Sequence, residues 1–190
     1  MVLKVISGIA RGRMLKTLPI SDLSVRPMLG RIKKSVFDII KFKIPYSVFI
    51  DLFAGVGSVG IEALSRGAKE VVFVELSDIS LSLIKHNIGM LGFNDRAKII
   101  KCDIVKCFSI LQGKYDIIFV GPPYVDENRN TVAFTNNVLK SSVKYDILKG
   151  DSVLITQRHI REPVENVEGL ECFRSERYGN TLVSFYKRVI

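Results

Sequence analysis

Short apolar runs recur along this chain with amphipathic stretches between them. From residue 48 onward, the runs at 48–52, 71–75, 97–101, 115–120 and 152–156 predict strands. The intervening segments at 58–66, 78–91, 104–111 and 131–142 predict helices, with Ser58 and Ser77 or Asp78 near first turns. Such alternation predicts an α/β architecture, a mostly parallel sheet with helices on both faces. The end of the chain breaks the pattern. Leu170–Arg174 and Thr181–Lys187 flank Tyr178-Gly179-Asn180, which predicts a closing antiparallel pair.

Residues 1–47 follow a different rhythm. Leu3–Ile6 and Arg13–Thr17 flank a glycine-containing loop and predict a hairpin carrying Arg11 and Arg13. Leu29, Ile32, Val36 and Ile39 then recur at helical spacing, which leaves Arg31, Lys34, Asp38 and Lys41 on the opposite face. The chain therefore divides into a basic N-terminal hairpin and helix, 1–47, and an α/β domain, 48–190. A chain of 190 residues is long enough to bury a substantial core.

Charge sharpens that division. Of the net +9, residues 1–47 carry +8, from ten Lys or Arg against Asp22 and Asp38. A positive charge concentrated in one region is the footprint expected of a protein that meets a phosphate backbone. The alternative is a solubilising surface. No apolar run approaches the roughly 18 residues of a membrane span, and the first residues lack a signal-peptide pattern, so a cytoplasmic location is expected. Cys102, Cys107 and Cys172 fit no metal or redox spacing, and His86 and His159 stand alone. No metal site is expected.

The chemistry gathers at two motifs. The first strand ends in Asp51 and enters a turn, Phe53-Ala54-Gly55-Val56-Gly57, with Gly60 completing the spacing G-x-G-x-x-G. Glu75 ends the next apolar run, where an acid could meet ribose hydroxyls. The glycine spacing alone also fits a nicotinamide dinucleotide. An ionised Asp51 would repel a pyrophosphate held at that turn but attract the sulfonium and ammonium of S-adenosylmethionine. The second motif, Gly121-Pro122-Pro123-Tyr124, follows the strand 115–120. Its prolines fix the backbone so that carbonyls can face an exocyclic amine, and Tyr124 offers a ring on which a flipped base can stack.

With these residues in place, the chain resembles the bacterial RsmD family of 16S ribosomal RNA guanine-N2 methyltransferases. The resemblance runs through Ile6-Ser-Gly-Ile-Ala-Arg-Gly-Arg13, Arg26-Pro27, the stretch from Asp51 to Ala68, Pro-Pro-Tyr, and Tyr178-Gly-Asn-Thr-Leu-Val-Ser-Phe-Tyr186. It implies a class I methyltransferase sheet of seven strands, S-adenosylmethionine as cofactor, and 16S rRNA in a small subunit or assembly intermediate as partner. It also implies that Asp103 meets the adenine amino group. Arg11, Arg13, Arg26, Arg31 and Lys34 are the expected RNA contacts. The chain departs from the family pattern at Gly121, where Asp or Asn is usual, and at Met28 and Gly30. Three alternatives remain open at this point: an RNA-binding assembly factor impaired in catalysis, a nucleic-acid amine methyltransferase with another target, and a nicotinamide oxidoreductase.

Overall fold

The computed structural model describes residues 3–18, 28–111, 113–123 and 133–189. Arg26 and Tyr124, two of the expected contact residues, lie outside the described residues. Seven strands form one sheet: β1 (Val48–Asp51), β2 (Glu70–Glu75), β3 (Ala97–Lys101), β4 (Tyr115–Val120), β5 (Leu148–His159), β6 (Leu170–Tyr178) and β7 (Thr181–Arg188). Their spatial order is β3-β2-β1-β4-β5-β7-β6. Strands β1 to β5 pair in parallel, and β7 runs antiparallel between β5 and β6. Successive side chains leave opposite faces of a strand. Phe49 of β1 accordingly joins one core and Ile50 the other.

Among the described residues, five α-helices cover the two faces: α1 (Gly30–Ile39), α2 (Ser58–Ser65), α3 (Asp78–Leu91), α4 (Ile104–Cys107) and α5 (Thr135–Lys144). The N-terminal hairpin, α1, α2 and α3 contribute to one core, while α4 and α5 contribute to the other. Two helices differ from their expected spans. Only 104–107 is helical in the segment 104–111, and turns follow. The helix expected over 131–142 begins at Thr135, whose N–H donates to the buried Glu162 carboxylate at 2.9 Å, and it runs on to Lys144.

Residues before β1 pack into the same core as the sheet: Leu3, Val5, Leu15, Ile32, Val36 and Phe37 are buried together with Phe49, Leu64 and Phe73. The hairpin forms around the Lys4–Met14 bridge, with Val5 N–H donating to Arg13 O and Leu15 N–H to Leu3 O. It is fixed to α2 by polar contacts. Glu62, fully buried, accepts N–H bonds from Ile6 (2.7 Å) and Ser7 (3.0 Å). Ser65 accepts from Ala10 N–H, and its hydroxyl donates to Ser7 O at 2.6 Å. Gly8, at φ +84°, lies so close that a Cβ would stand 1.9 Å from Ser65 O, so only glycine fits.

The stripe on α1 is also turned from its expected position. Leu29 is exposed and Ile39 half-buried, while Lys33, only 1% exposed, lies inside with Phe37. Its ammonium lies 3.5 Å from Glu62 and donates to Lys4 O and Ser58 O. Burial lowers the Lys33 pKa, and Glu62 opposes that effect. Arg66 joins through a 2.7 Å bond to Glu62 and a longer contact, 3.8 Å, to Asp38.

Removing Glu62 would leave Lys33 as a buried charge without its counter-ion and two hairpin N–H groups without acceptors. Glu62→Ala should destabilise the protein by about 3–5 kcal/mol, measured by urea denaturation. Adding Lys33→Met should recover part of that loss; a double variant no more stable than the single one would show that the ion pair is not the reason.

Candidate cofactor and nucleic-acid site

Both sequence motifs arrive at the C-terminal ends of two neighbouring central strands. Asp51 ends β1 and pairs in register with Phe119 of β4, two residues before Gly121. Chain order reverses between these neighbouring strands, β2 and β3 lying on one side and β5 on the other. Ligands of open α/β sheets bind beyond the strand ends at such a reversal. Pro122 is buried and Pro123 exposed, so the diproline runs outward from that crevice.

The turn after β1 holds two acids among its amides. Asp51 is 1% exposed, and its Oδ2 accepts the Gly60 N–H at 3.2 Å. Its Oδ1 is buried without a partner among the described residues. Glu75 Oε2 accepts the Gly55 N–H at 2.7 Å, while Oε1 accepts from Leu76 and Ser77. Gly57 caps α2 at φ +82°, a left-handed conformation that favours glycine. Gly60 has a packing role: a Cβ there would lie 2.3 Å from the Phe73 ring, so the residue lets α2 settle on β2. Ala54 N–H donates to Val74 O, and Phe53 stacks at a tilt on Phe134, 5.5 Å between centroids.

This occupancy separates the two cofactor readings. A pyrophosphate needs free amides at the glycine turn. Here Gly55 and Gly60 already donate to the Glu75 and Asp51 carboxyls, so those amides are not free for an anion. An S-adenosylmethionine ammonium and sulfonium suit the same environment, and the unpartnered Asp51 Oδ1 is an acceptor awaiting a donor. Burial pushes the Asp51 carboxyl up to about 7, with the Gly60 N–H opposing the rise and the Glu75 charge adding to it. Asp103, half-buried, lies two residues past the end of β3, whereas Asp51 and Glu75 are the last residues of β1 and β2.

Gly121 has a physical explanation in its neighbour. A Cβ at this position would stand 2.8 Å from the ring of Phe119, which is buried. The aromatic ring fills the space that a larger residue at 121 would need. Sequence reasoning missed that pairing, although the two residues are separated by a single position.

The expected RNA contacts fall into two places. Arg31 and Lys34 line an open groove of about 470 Å³ with Ser35, Asp38, Ile39 and Arg174, between α1 and β6. Lys34 pairs with Asp38 and Arg174 with Glu176. The Ser35 and Tyr178 hydroxyls share a hydrogen bond across the groove's two walls. Arg11 and Arg13 are exposed on the hairpin and lie outside this groove. Arg174 was not among the expected residues, since it sits in a strand whose sequence carries no basic run. Among the described residues no group of His, Cys, Asp or Glu could hold a metal ion, and no helix is long and apolar enough to cross a membrane.

Over residues 3–187 the sequence matches the family described as Conserved hypothetical protein 95. The Bacillus subtilis protein YlbH is 30% identical, the match covering 98% of this chain and 99% of the relative. The Ribosomal RNA small subunit methyltransferase D of Haemophilus influenzae is 31% identical over 90% of this chain and 91% of its own. Among solved structures, the Escherichia coli protein yhhF superposes with a TM-score of 0.84 at 20% identity, covering 99% of this chain and 98% of the other.

Two outcomes follow from this geometry. The stability linked to protonated Asp51 is fully present below the ordinary carboxylate range and is lost as pH rises through about 7. A bound cation selects the ionised form, so affinity for S-adenosylhomocysteine should be level above pH 7 and fall below it, by up to about tenfold per unit. Calorimetry on wild type and Asp51→Asn checks this; the variant should bind weakly at every pH. The Phe119 contact predicts that Gly121→Asp lowers stability by roughly 1–3 kcal/mol through overpacking, and that Phe119→Leu in the same chain relieves it. Thermal melts of the single and double variants decide the matter.

Proposed function

The chain belongs to the family described as Conserved hypothetical protein 95, the RsmD-type S-adenosylmethionine-dependent methyltransferases, and from that membership we propose that it methylates the exocyclic N2 amine of a guanine in 16S ribosomal RNA. The observation that carries the reading is the meeting of the Asp51–Glu75 glycine turn and the Gly121-Pro122-Pro123 segment at the sheet's reversal point. The cell compartment implied is the cytoplasm, where ribosomal subunits are assembled.

When bound, S-adenosylmethionine supplies a methyl group made electrophilic by its sulfonium. Asp51 and the Gly55–Gly57 turn would hold its methionine end, Glu75 its ribose and Asp103 its adenine. The protein's main task is alignment, since an in-line displacement requires the acceptor nitrogen at near-attack distance. A guanine N2 lone pair is delocalised into the ring. Acceptors that draw its protons outward favour the pyramidal nitrogen that attacks. Gly121 has no side chain for this, so its carbonyl and that of Pro122 take the role, and the diproline limits their motion. Tyr124 would stack on the flipped base.

The groove of Arg31, Lys34 and Arg174 supports phosphate contacts, and the exposed hairpin arginines support further ones. A second reading, an assembly factor with impaired catalysis, is favoured by the Phe119 ring beside Gly121. Methyl transfer from labelled S-adenosylmethionine to 16S rRNA and to small subunits, with mass spectrometry of the modified nucleoside, separates the two. N2-methylguanosine is expected; incorporation at another amine, or none, overturns the proposal. Replacing Arg11, Arg13, Arg31 and Lys34 with Ala should flatten the salt dependence of RNA binding by roughly one unit of log–log slope per lost contact. Affinity for S-adenosylhomocysteine should be unchanged in that variant.

A further inference from the structure

At the end of α2 remote from the glycine turn, the surface carries large apolar side chains that the core does not use. Phe42 and Tyr46 are each 87% exposed, and Ile9 is 79% exposed. The backbone brings them together. Ile9 N–H donates to Ser65 O at the end of α2 and Tyr46 N–H to Gly67 O in the turn that follows it, with Phe42 four residues before Tyr46. Tyr46 is fixed at φ 63°, a left-handed conformation that an aromatic residue adopts only at a cost. A ring held outward in that conformation adds no burial to the fold.

The surrounding charge is positive. Lys41 lies over the Phe42 ring, 4.7 Å from its centroid, and Arg11 and Lys69 are exposed on the adjoining hairpin and loop. The nearby carboxylates are already engaged: Asp151 with Lys43, and Asp38 with Lys34 and Arg66. Flat rings beside cations that form no ion pair among the described residues match a strand of nucleic acid, whose bases stack and whose phosphates pair with Lys and Arg. A protein partner would gain from the apolar rings but not from the excess of cations.

We propose that Phe42 and Tyr46, flanked by Lys41 and Arg11, form a shelf on which unpaired bases of the RNA substrate stack, separate from the base that is methylated. The shelf rests on the RNA-methyltransferase reading above and adds a second anchorage to it. Helix α2 spans Ser58–Ser65, so the shelf lies at least roughly 12 Å of helix from the glycine turn. Bases stacked there are therefore not the one presented to the diproline segment. The site would hold a single-stranded part of the substrate while the reacting guanine sits at the C-terminal ends of the central strands.

The chain contains no tryptophan, so Phe42→Trp and Tyr46→Trp each introduce one fluorophore of known position. Stacking predicts that oligouridylate and 16S rRNA quench both saturably, with the same midpoint as binding measured by filter retention. The Phe42→Ala, Tyr46→Asn double variant should bind RNA at least about tenfold more weakly. Asn tolerates the left-handed backbone, and unchanged S-adenosylhomocysteine affinity verifies the fold. RNA binding by the wild type, with no quenching and no loss in the double variant, overturns the shelf and leaves the methyltransferase reading standing. Loss of binding to assembled small subunits but not to free RNA overturns it in favour of a protein contact. Failure of the wild type to bind RNA in any form overturns both.

Discussion

A single buried carboxylate organises the half of the molecule that distinguishes it from a bare cofactor-binding sheet. Glu62 lies in a helix otherwise made of small and apolar residues, and it is fully enclosed. Such a group persists only if its acceptor positions are filled. Two hairpin N–H groups, the Arg66 guanidinium and the Lys33 ammonium fill them. The hairpin, α1 and α2 are thus bound to one another by a shared electrostatic requirement, with the apolar core closing around it.

The glycine turn works by a related logic in a different direction. Carboxylates occupy its amides from within the protein, so the turn that would otherwise cradle an anion faces outward as a negative site. Asp51 Oδ1 is buried there with no hydrogen-bond partner among the described residues. The hairpin reaches this turn through Asn87, whose amide accepts from Lys16 N–H at 2.8 Å and donates to Lys16 O and Val56 O. The hairpin and the glycine turn share one buried side chain.

The apolar runs made the sheet legible because strands such as Val71–Val74 are buried on both faces and cannot be mistaken for a surface pattern. The glycine and diproline motifs were readable for a similar reason, since each carries its own backbone chemistry. Lys33 was not readable. Its burial depends on an acid 29 positions later and on two carbonyls that only the fold assembles. Periodicity therefore turned the α1 stripe toward Leu29 and Ile39, the choice that keeps a lysine in water. Glu62 did leave a signal, a lone charge in an apolar helix, but nothing local names its partners. The Phe119–Gly121 fit and the Phe42–Tyr46 surface are likewise matters of spatial adjacency, to which sequence patterns are blind.

The span of the hairpin's contacts has a consequence for the order in which the protein is made. Ile6 meets Glu62 across 56 positions, and Lys16 meets Asn87 across 71. Contacts of such sequence separation form late. A ribosome building this chain releases the apolar Leu3, Val5 and Leu15 long before α2 and α3 exist to cover them. Those side chains stay uncovered until the later elements emerge, and the hairpin meets its last partner only once Asn87 has been made.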